Sequence, residues 1–216
     1  MSRIVVFGAG GRAGRRAVAE ATSRGHRVTA VVRDTARHAD LAGGLVTVVA
    51  GDVTDSAGVA AVAAGHDAAV QAAYQPDLPA AEFFPRAARA LVDGLTRTGV
   101  GRLVVVGIGA NLEVAPGVPV HDTPAFPPQG RDFSLGHVAE FEVLRDADGA
   151  VDWVVLAPPP VVLDHEAERT GRYRTGGRRV LPSTDGDPAF SYADLAVALI
   201  DEIERPRHHR RLVAVG

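Results

Sequence analysis

Seven consecutive residues near the N terminus carry the clearest sign of chemistry in this sequence. Four of the seven are glycines, and the stretch directly follows a short apolar run. Glycines in such a turn allow a tight bend, let backbone N–H groups approach a pyrophosphate, and let the next helix pack closely on the sheet. The positive end of that helix then faces the phosphates. The residues predicted to bind a dinucleotide cofactor here are Gly8, Gly10, Gly11, Arg12, Ala13 and Gly14.

The end of the second apolar run bears on which dinucleotide binds. An acidic residue at this place binds the ribose hydroxyls of NAD, whereas a basic residue favours the additional phosphate of NADP. The run ends in Arg33 and Asp34. We favour Arg33 as the deciding residue, and therefore NADP(H), with help from Arg12. If Asp34 holds the deciding position, NAD(H) is preferred instead.

The elements that would position these residues alternate along the chain. Short runs rich in β-branched residues recur at 4–7, 28–32, 45–49, 68–70, 103–106, 151–156 and 212–215. They are mostly continuous, which is typical of strands buried on both faces. Helix-like stretches rich in alanine and arginine lie between them. This alternation predicts an α/β fold of the Rossmann type, a doubly wound parallel sheet with a small C-terminal substrate lobe.

The glycine spacing can be read in two ways. Gly8, Gly11 and Gly14 fit GxxGxxG, whereas Gly10 and Ala13 also fit GxGxxA, so the spacing alone does not decide. The first pattern resembles that of the extended and atypical short-chain dehydrogenases/reductases.

The residues that usually transfer a proton in short-chain reductases are absent here. Those enzymes carry a serine after the fifth strand and a YxxxK pair on the next helix. Here Gly107 stands at the serine place and Phe133 at the tyrosine place, His137 lies nearest the lysine place, and the chain contains no lysine. His137 is interpreted either as a proton donor or as an ordinary helix histidine touching the cofactor ribose or a buried carbonyl. Ser134, one helical turn earlier, is the candidate to orient it.

A closer resemblance covers nearly the whole chain. It rests on residues 109–117, 152–153, 158–159, 169–174 and 191–204. These segments resemble atypical short-chain proteins often labelled NADH-flavin reductases, which are relatives of biliverdin/flavin reductases and of NmrA-like proteins. Members of that family commonly lack the tyrosine–lysine pair, so the resemblance implies that substrate or solvent supplies the proton.

Positions after the other strands are expected to complete the cofactor site, because open α/β sheets bind ligands at the carboxyl ends of their strands. The resemblance implies that Asp52 contacts the adenine end of the cofactor, while its position equally suits the N-cap of the next helix. The full set expected here is Asp52, Val53, Ala72, Ala73, Gly107, His137 and Pro158.

Two irregular segments, 109–133 and 157–190, interrupt the pattern within a single domain spanning 1–216. The first contains five prolines and is expected to lack regular structure, and both are predicted to be lid or substrate segments. His121 and Asp122 are read either as reaching the substrate or as a solvated pair, and the basic stretch 169–179 either as an anion clamp or as a solvated hairpin. The residues expected to contact substrate are Tyr74, Asn111, His121 and Phe126.

The net charge and the amino-acid composition limit the classes of partner that this chain is expected to bind. The formal net charge is −3, which argues against a surface that binds nucleic acid or an anionic membrane. The chain has no cysteine, so thiol chemistry and cysteine-ligated metals are excluded, and no metal site is expected. The first apolar run begins at Ile4, and we predict a cytoplasmic protein. A small-molecule substrate and a monomer or homodimer are expected.

Three functional hypotheses follow. The favoured one is an NAD(P)H-dependent reductase of a planar conjugated acceptor such as a flavin, a quinone or an aromatic polyketide. The second is a redox sensor or regulator of the NmrA type that binds NADP(H) without turnover, and the missing tyrosine and lysine favour it. The third is a cofactor-assisted isomerase, epimerase or tailoring enzyme of secondary metabolism.

Overall fold

The computed structural model describes residues 1–161, 163–164, 166–182 and 190–216. Seven strands of these ranges form one parallel sheet, and two short strands form a separate hairpin, which confirms the predicted Rossmann-type architecture. The strands are β1 (Arg3–Phe7), β2 (Arg27–Val32), β3 (Val46–Ala50), β4 (Ala68–Gln71), β5 (Arg102–Val106), β6 (Glu113–Ala115), β7 (Val118–Pro119), β8 (Asp152–Ala157) and β9 (Arg211–Ala214).

The strand order of the main sheet is β3-β2-β1-β4-β5-β8-β9. The chain winds outward from β1 in one direction as far as β3, and then crosses back to add β4 on the other side of β1. Crossovers on opposite faces leave a crevice beyond the carboxyl ends of β1 and β4. The sheet topology therefore creates its binding crevice where the glycine loop ends β1.

Helices cover both faces of the sheet. Alternate residues of β1 enter opposite cores, with Val5 and Phe7 on one side and Ile4 and Val6 on the other, and all four are buried. This explains why the strand sequence is continuously apolar. Helices α1 and α5 pack on the face of Ile4, and α2, α3 and α4 on the face of Phe7. Their bounds are α1 (Arg12–Ser23), α2 (Ser56–Ala63), α3 (Ala80–Thr98), α4 (Arg131–Asp146) and α5 (Tyr192–Glu204).

The segment 109–133 is more regular than its prolines suggest, so that prediction is wrong. It contains the β6–β7 hairpin, short 3-10 turns and the start of α4. Gly117 takes φ +73° in the turn between the two strands, a value that glycine adopts without steric cost. Pro119 is tolerated because it ends a two-residue strand at the edge of a hairpin.

The described part of 157–190 packs along β9 and meets the first irregular segment. Thr175 forms an antiparallel bridge with Val215, and the N–H of Gly176 donates to the carbonyl of Ala214 at 2.9 Å. The N–H of Val180 donates to the carbonyl of Glu113 at 3.0 Å. The two segments predicted as lids therefore support each other at one edge of the sheet.

Arg169 is the first arginine of the basic stretch 169–179. It binds a carboxylate of the protein itself, so at this residue the stretch is neither an anion clamp nor a solvated hairpin. Arg169 donates to both carboxylate oxygens of Glu20 on α1, at 2.8 and 3.0 Å, and Glu20 also binds Arg24 at 2.7 Å. Burial alone would raise the pKa of Glu20, but hydrogen bonds from Arg169 and Arg24 outweigh it and lower the pKa. Arg169 thus ties the chain after β8 to α1.

Within the described residues, no helix is both long enough and apolar enough to cross a bilayer.

Candidate functional site

Two glycines make the loop after β1 sterically possible. Gly8 has φ +75°, and a Cβ there would lie 2.4 Å from the Cα of Ala73, which follows β4. A Cβ on Gly14 would lie 2.1 Å from the carbonyl oxygen of Gly8. The first glycine lets β1 and β4 approach each other at the crevice, and the second lets α1 pack against the loop.

Gly11 is less crowded than Gly8 and Gly14. The nearest heavy atoms to a Cβ placed there are the carbonyl oxygens of Gly8 at 3.3 Å and Ala72 at 3.9 Å. Gly11 is also the N-cap of α1, and no side chain caps the helix there. An uncapped helix N terminus that opens into a crevice is the arrangement that binds a phosphate group.

A first cavity of about 490 Å³ lies beside this loop. It runs from Gly8, Gly10 and Gly11 across the ends of β2 and β3 to the residues after β4. The sequence-predicted residues on its wall are Gly8, Gly10, Gly11, Arg33, Asp34, Asp52, Val53, Ala72, Ala73 and Tyr74. The size, the open helix end and the cation at its rim fit the adenosine and phosphate part of a dinucleotide.

Arg33 and Asp34 differ in how far they are already engaged. One Asp34 carboxylate oxygen accepts from the backbone N–H groups of Ala36 and Arg37, at 3.0 and 3.4 Å, and the other lies 3.2 Å from the Arg37 guanidinium. Arg33 is half-exposed and lies 3.7 Å from Asp77. The Asp34 carboxylate shapes the turn after β2, but it is 51% exposed, close to the 54% of Arg33, and both residues line the first cavity.

Asp52 organises a local turn and is not a helix N-cap. Its carboxylate accepts from the backbone N–H and the hydroxyl of Thr54, both at 2.8 Å. Asp55 is the N-cap of α2, with a bond from the N–H of Ala57 at 3.1 Å. The N-cap interpretation of Asp52 is therefore wrong by three residues, while its place on the cavity wall keeps the adenine-end interpretation open.

His38 belongs to the site but had no signal in the sequence. Its imidazole occupies the space where a Cβ on Gly10 would stand, with Nε2 2.4 Å from that position. Nδ1 lies 3.2 Å from Arg15, whose Nε donates to the carbonyl of Gly10 at 3.2 Å. Gly10 therefore makes room for a side chain that the 3-10 turn at 36–41 delivers.

A second, larger cavity of about 900 Å³ adjoins the first, and the two share Gly11, Ala72, Ala73 and Tyr74. Most of its wall is apolar, with aromatic rings on one side and the prolines that follow β8 on the other. The sequence-predicted residues on this wall are Gly11, Arg12, Ala13, Ala72, Ala73, Tyr74, Gly107, Phe126, Ser134, His137 and Pro158. Such a cavity suits a flat, largely apolar molecule.

An aromatic cluster forms the floor between the two cavities. Tyr74 stacks on Phe84, with ring centroids 5.6 Å apart and planes 5° from parallel. It also meets the edges of Phe83 and Phe133. Tyr74 is 44% exposed, so one side of its ring remains available to a ligand.

His137 lies on the wall of the second cavity but is not oriented by Ser134. The Ser134 hydroxyl donates to the carbonyl of Gly130, the N-cap of its own helix, at 3.0 Å. The Nδ1 of His137 instead lies 2.8 Å from a carboxylate oxygen of Glu140, and both side chains are buried. The predicted contact between Ser134 and His137 is therefore wrong, and the hydrogen-bond partner of His137 is Glu140 on the next turn.

A family model described as NAD(P)H-binding matches residues 8–206. The chain belongs to this NAD(P)H-binding family. The match begins at Gly8, the first residue of the open loop. It confirms a nicotinamide dinucleotide as the cofactor class.

Solved structures agree with the NAD(P)H-binding assignment. A candidate exported protein from Burkholderia pseudomallei is 38% identical, with a TM-score of 0.86 over 100% of both chains. A candidate epimerase from Bacteroides thetaiotaomicron is 30% identical, with a TM-score of 0.88 over 100% of this chain and 96% of that one. A candidate NADH-flavin reductase from Streptococcus pneumoniae is 25% identical, with a TM-score of 0.81 over 100% and 99%. The resemblance to atypical short-chain reductases is confirmed.

Two predicted substrate residues lie away from both cavity walls of this NAD(P)H-binding protein. Asn111 is buried, and its Oδ1 has no hydrogen-bond partner. His121 is buried as well, with Nδ1 2.9 Å from the carbonyl of Ala110, and its Nε2 lies 3.9 Å from the half-exposed Asp122 carboxylate. Asp122 pairs more closely with Arg131, at 2.7 Å, so the predicted pair is solvated on its Asp122 side and buried on its His121 side. His121 holds the loop that carries Val120 and Thr123 to the cavity wall.

A metal site finds no support in the described ranges, which contain no group of three or more histidine, aspartate or glutamate side chains placed to hold an ion.

Proposed function

We propose that this protein is an NADP(H)-dependent oxidoreductase that reduces a planar, conjugated acceptor such as a flavin, a quinone or an aromatic ketone. One observation carries the proposal. A polar cavity with a cation at its rim and an apolar, aromatic cavity meet at Gly11 and at residues 72–74. A dinucleotide that spans this junction would have its phosphates at the N terminus of α1 and its nicotinamide in the apolar cavity.

NADP(H) rather than NAD(H) is favoured by the two residues after β2. Both residues line the first cavity, but Asp34 is bound by two backbone N–H groups and by Arg37, whereas the Arg33 ion pair with Asp77 is longer, at 3.7 Å. The guanidinium group binds a phosphate through two parallel hydrogen bonds, which a ribose hydroxyl does not offer. Arg12 belongs to the glycine loop and lies on the wall of the second cavity, where its guanidinium would support binding of the pyrophosphate.

When bound, the nicotinamide supplies a hydride. The chain itself would orient the acceptor and exclude water, because Phe84, Phe126 and Phe133 line the cavity with the prolines after β8. His137 would donate a proton to the acceptor, since its Nδ1 is engaged with Glu140 and its Nε2 has no hydrogen-bond partner among the described residues. Proton donation by a positioned side chain contributes about 10²- to 10⁴-fold to a rate.

The proposed partner is a small molecule alone. The net charge of −3 argues against a partner such as nucleic acid or anionic lipid. A cytoplasmic location and a monomeric or homodimeric state remain part of the proposal.

The test is a spectrophotometric screen of NADPH and NADH oxidation with riboflavin, menadione and aromatic ketones. Wild type is compared with Gly11→Asp, which places a carboxylate at the loop where the pyrophosphate would lie. We expect turnover with at least one acceptor for wild type and loss of NADPH binding for the variant. Gly101→Asp is the control, because Gly101 has open space around it and precedes β5 at the opposite end of the sheet.

A second candidate function, epimerisation, is favoured by the name of the Bacteroides thetaiotaomicron structure. Conversion of a substrate without net cofactor consumption would favour it over reduction. Tight NADPH binding without turnover of any acceptor would favour the sensor hypothesis. Tight NADPH binding by Gly11→Asp would contradict the cofactor site itself.

A further inference from the structure

Glu140 is a buried carboxylate at the edge of the proposed acceptor cavity. Its side chain is 2% exposed, and its Oε2 lies 2.8 Å from Nδ1 of His137, which is 7% exposed. The two residues are three positions apart on α4, so the helix itself presents them on one face. Among the described residues, His137 is the hydrogen-bond partner of Glu140.

The surroundings of the pair are apolar. The His137 ring lies over Phe84, with centroids 3.8 Å apart, and meets the edge of Phe133 at 5.0 Å. A buried carboxylate in such a place costs free energy unless it is hydrogen-bonded, and a buried charge costs more. Glu140 therefore depends on His137, and the two side chains act as one unit.

We propose that Glu140 is a positioning residue that holds His137 as the proton donor to the acceptor. Its carboxylate accepts the Nδ1–H, which fixes the plane of the ring and leaves Nε2 as the nitrogen that faces the cavity. A second proton on the imidazole is then carried on Nε2. This inference rests on the proposed function, because it names how the proposed donor is held.

The step balances as a simple reduction. An acceptor carbonyl that gains a hydride at carbon holds the electron pair on oxygen as an alkoxide, and this oxygen takes the proton from Nε2. His137 is left neutral, with Nδ1–H still donated to Glu140, and regains its proton from solvent. The products are a hydroxyl group on the acceptor and the oxidised cofactor.

The decisive experiment is a double-mutant cycle with His137→Asn and Glu140→Gln, with menadione and NADPH as probes. Glutamine keeps the size and a hydrogen-bond acceptor but loses the charge. We expect kcat to fall about tenfold in Glu140→Gln, with the KM for NADPH unchanged, and to fall no further when the change is added to His137→Asn. Glu142→Gln, on the exposed side of the same helix, is the matched control and should match wild type.

Histidine ¹⁵N NMR of the protein without cofactor provides a readout that does not depend on turnover. Wild type should show His137 with a proton held on Nδ1, and Glu140→Gln should weaken that preference. A Glu140→Gln enzyme with normal kcat and an unchanged spectrum, beside a strongly impaired His137→Asn enzyme, would overturn the positioning role alone. Normal menadione reduction by His137→Asn would overturn the donor role and this inference together.

Discussion

Arg33 lies at the rim of the first cavity, and the predicted preference for NADP(H) over NAD(H) depends on its side chain. Arg33 is 54% exposed there, and its neighbour Asp34 is held by two backbone N–H groups and by Arg37. An exposed guanidinium adds attraction for a phosphate and nothing comparable for a hydroxyl. The selectivity of the site should therefore follow the charge at position 33.

Arg33→Asp should weaken NADPH binding about ten- to one-hundredfold, since a hydrogen bond to a charged group contributes about 1.5–3 kcal/mol. NADH binding should change much less. Arg27→Asp makes the same change of charge at the other end of β2 and should alter neither affinity. Fluorescence titration with both dinucleotides checks this, and equal losses for NADPH and NADH would remove Arg33 from cofactor selection.

At the scale of elements, α1 and α5 are joined by ion pairs as well as by apolar packing. Arg24 at the end of α1 lies 2.7 Å from Glu20, 2.6 Å from Asp201 and 2.7 Å from Glu204. Tyr173 adds a bond to Asp201 at 2.6 Å, and burial together with that bond raises the pKa of the Tyr173 hydroxyl. This cluster fixes α1 against the elements that follow the second irregular segment.

Arg24→Leu should lower the free energy of unfolding by about 2 kcal/mol, because it leaves partly buried carboxylates without their shared cation. Arg97→Leu is the comparison, since Arg97 and Asp93 form an i,i+4 pair that is about half-exposed on both sides. Exposed pairs contribute about 0–1 kcal/mol, so the second change should be small. Urea denaturation of both variants measures the difference.

The same cluster predicts how stability depends on acid. Burial opposes ionisation of Glu20, Asp201 and Glu204, but hydrogen bonds from their partners lower all three pKa values. A group whose folded pKa is lowered stabilises the fold above its unfolded pKa, near 4, and loses that effect as pH falls through the folded value. The stability gap between wild type and Arg24→Leu should therefore shrink below about pH 4.

At the scale of the whole molecule, the topology distinguishes between three cavities formed by the described residues. Two meet beyond the carboxyl ends of β1 and β4, whereas a third of about 840 Å³ lies between α3 and α4 on the outside of the sheet. Ligands in doubly wound folds bind at the reversal of strand order. We expect this third cavity, the groove between α3 and α4, to take no part in cofactor binding.

Hydrogen exchange with and without NADPH tests this assignment. Bound NADPH should slow amide exchange at 8–14, 33–38 and 72–75, the backbone around the first cavity. The groove segments 89–96 and 139–150 should exchange at the same rate in both states. Protection centred on the cavity between α3 and α4 would contradict the assignment of the cofactor to the first cavity.

Local signals in the sequence determined the fold and the cofactor loop. The strand β1, the loop with Gly8 and Gly14, and the start of α1 are contiguous, so backbone conformation and burial are encoded within about twenty residues. The absence of lysine, and of tyrosine at the place of Phe133, also needed no structure. These inferences depend on residue type and neighbours in the chain, which the sequence shows directly.

Only the tertiary structure decided which side chains act together. A helix places both Ser134 and Glu140 one turn from His137, but the folded structure pairs His137 with Glu140 while Ser134 bonds to the carbonyl of Gly130. In the same way, Arg169 reaches Glu20 across 149 positions of the chain. The physical reason is that such contacts depend on which faces of distant elements are buried against each other, and no local pattern of residues records that.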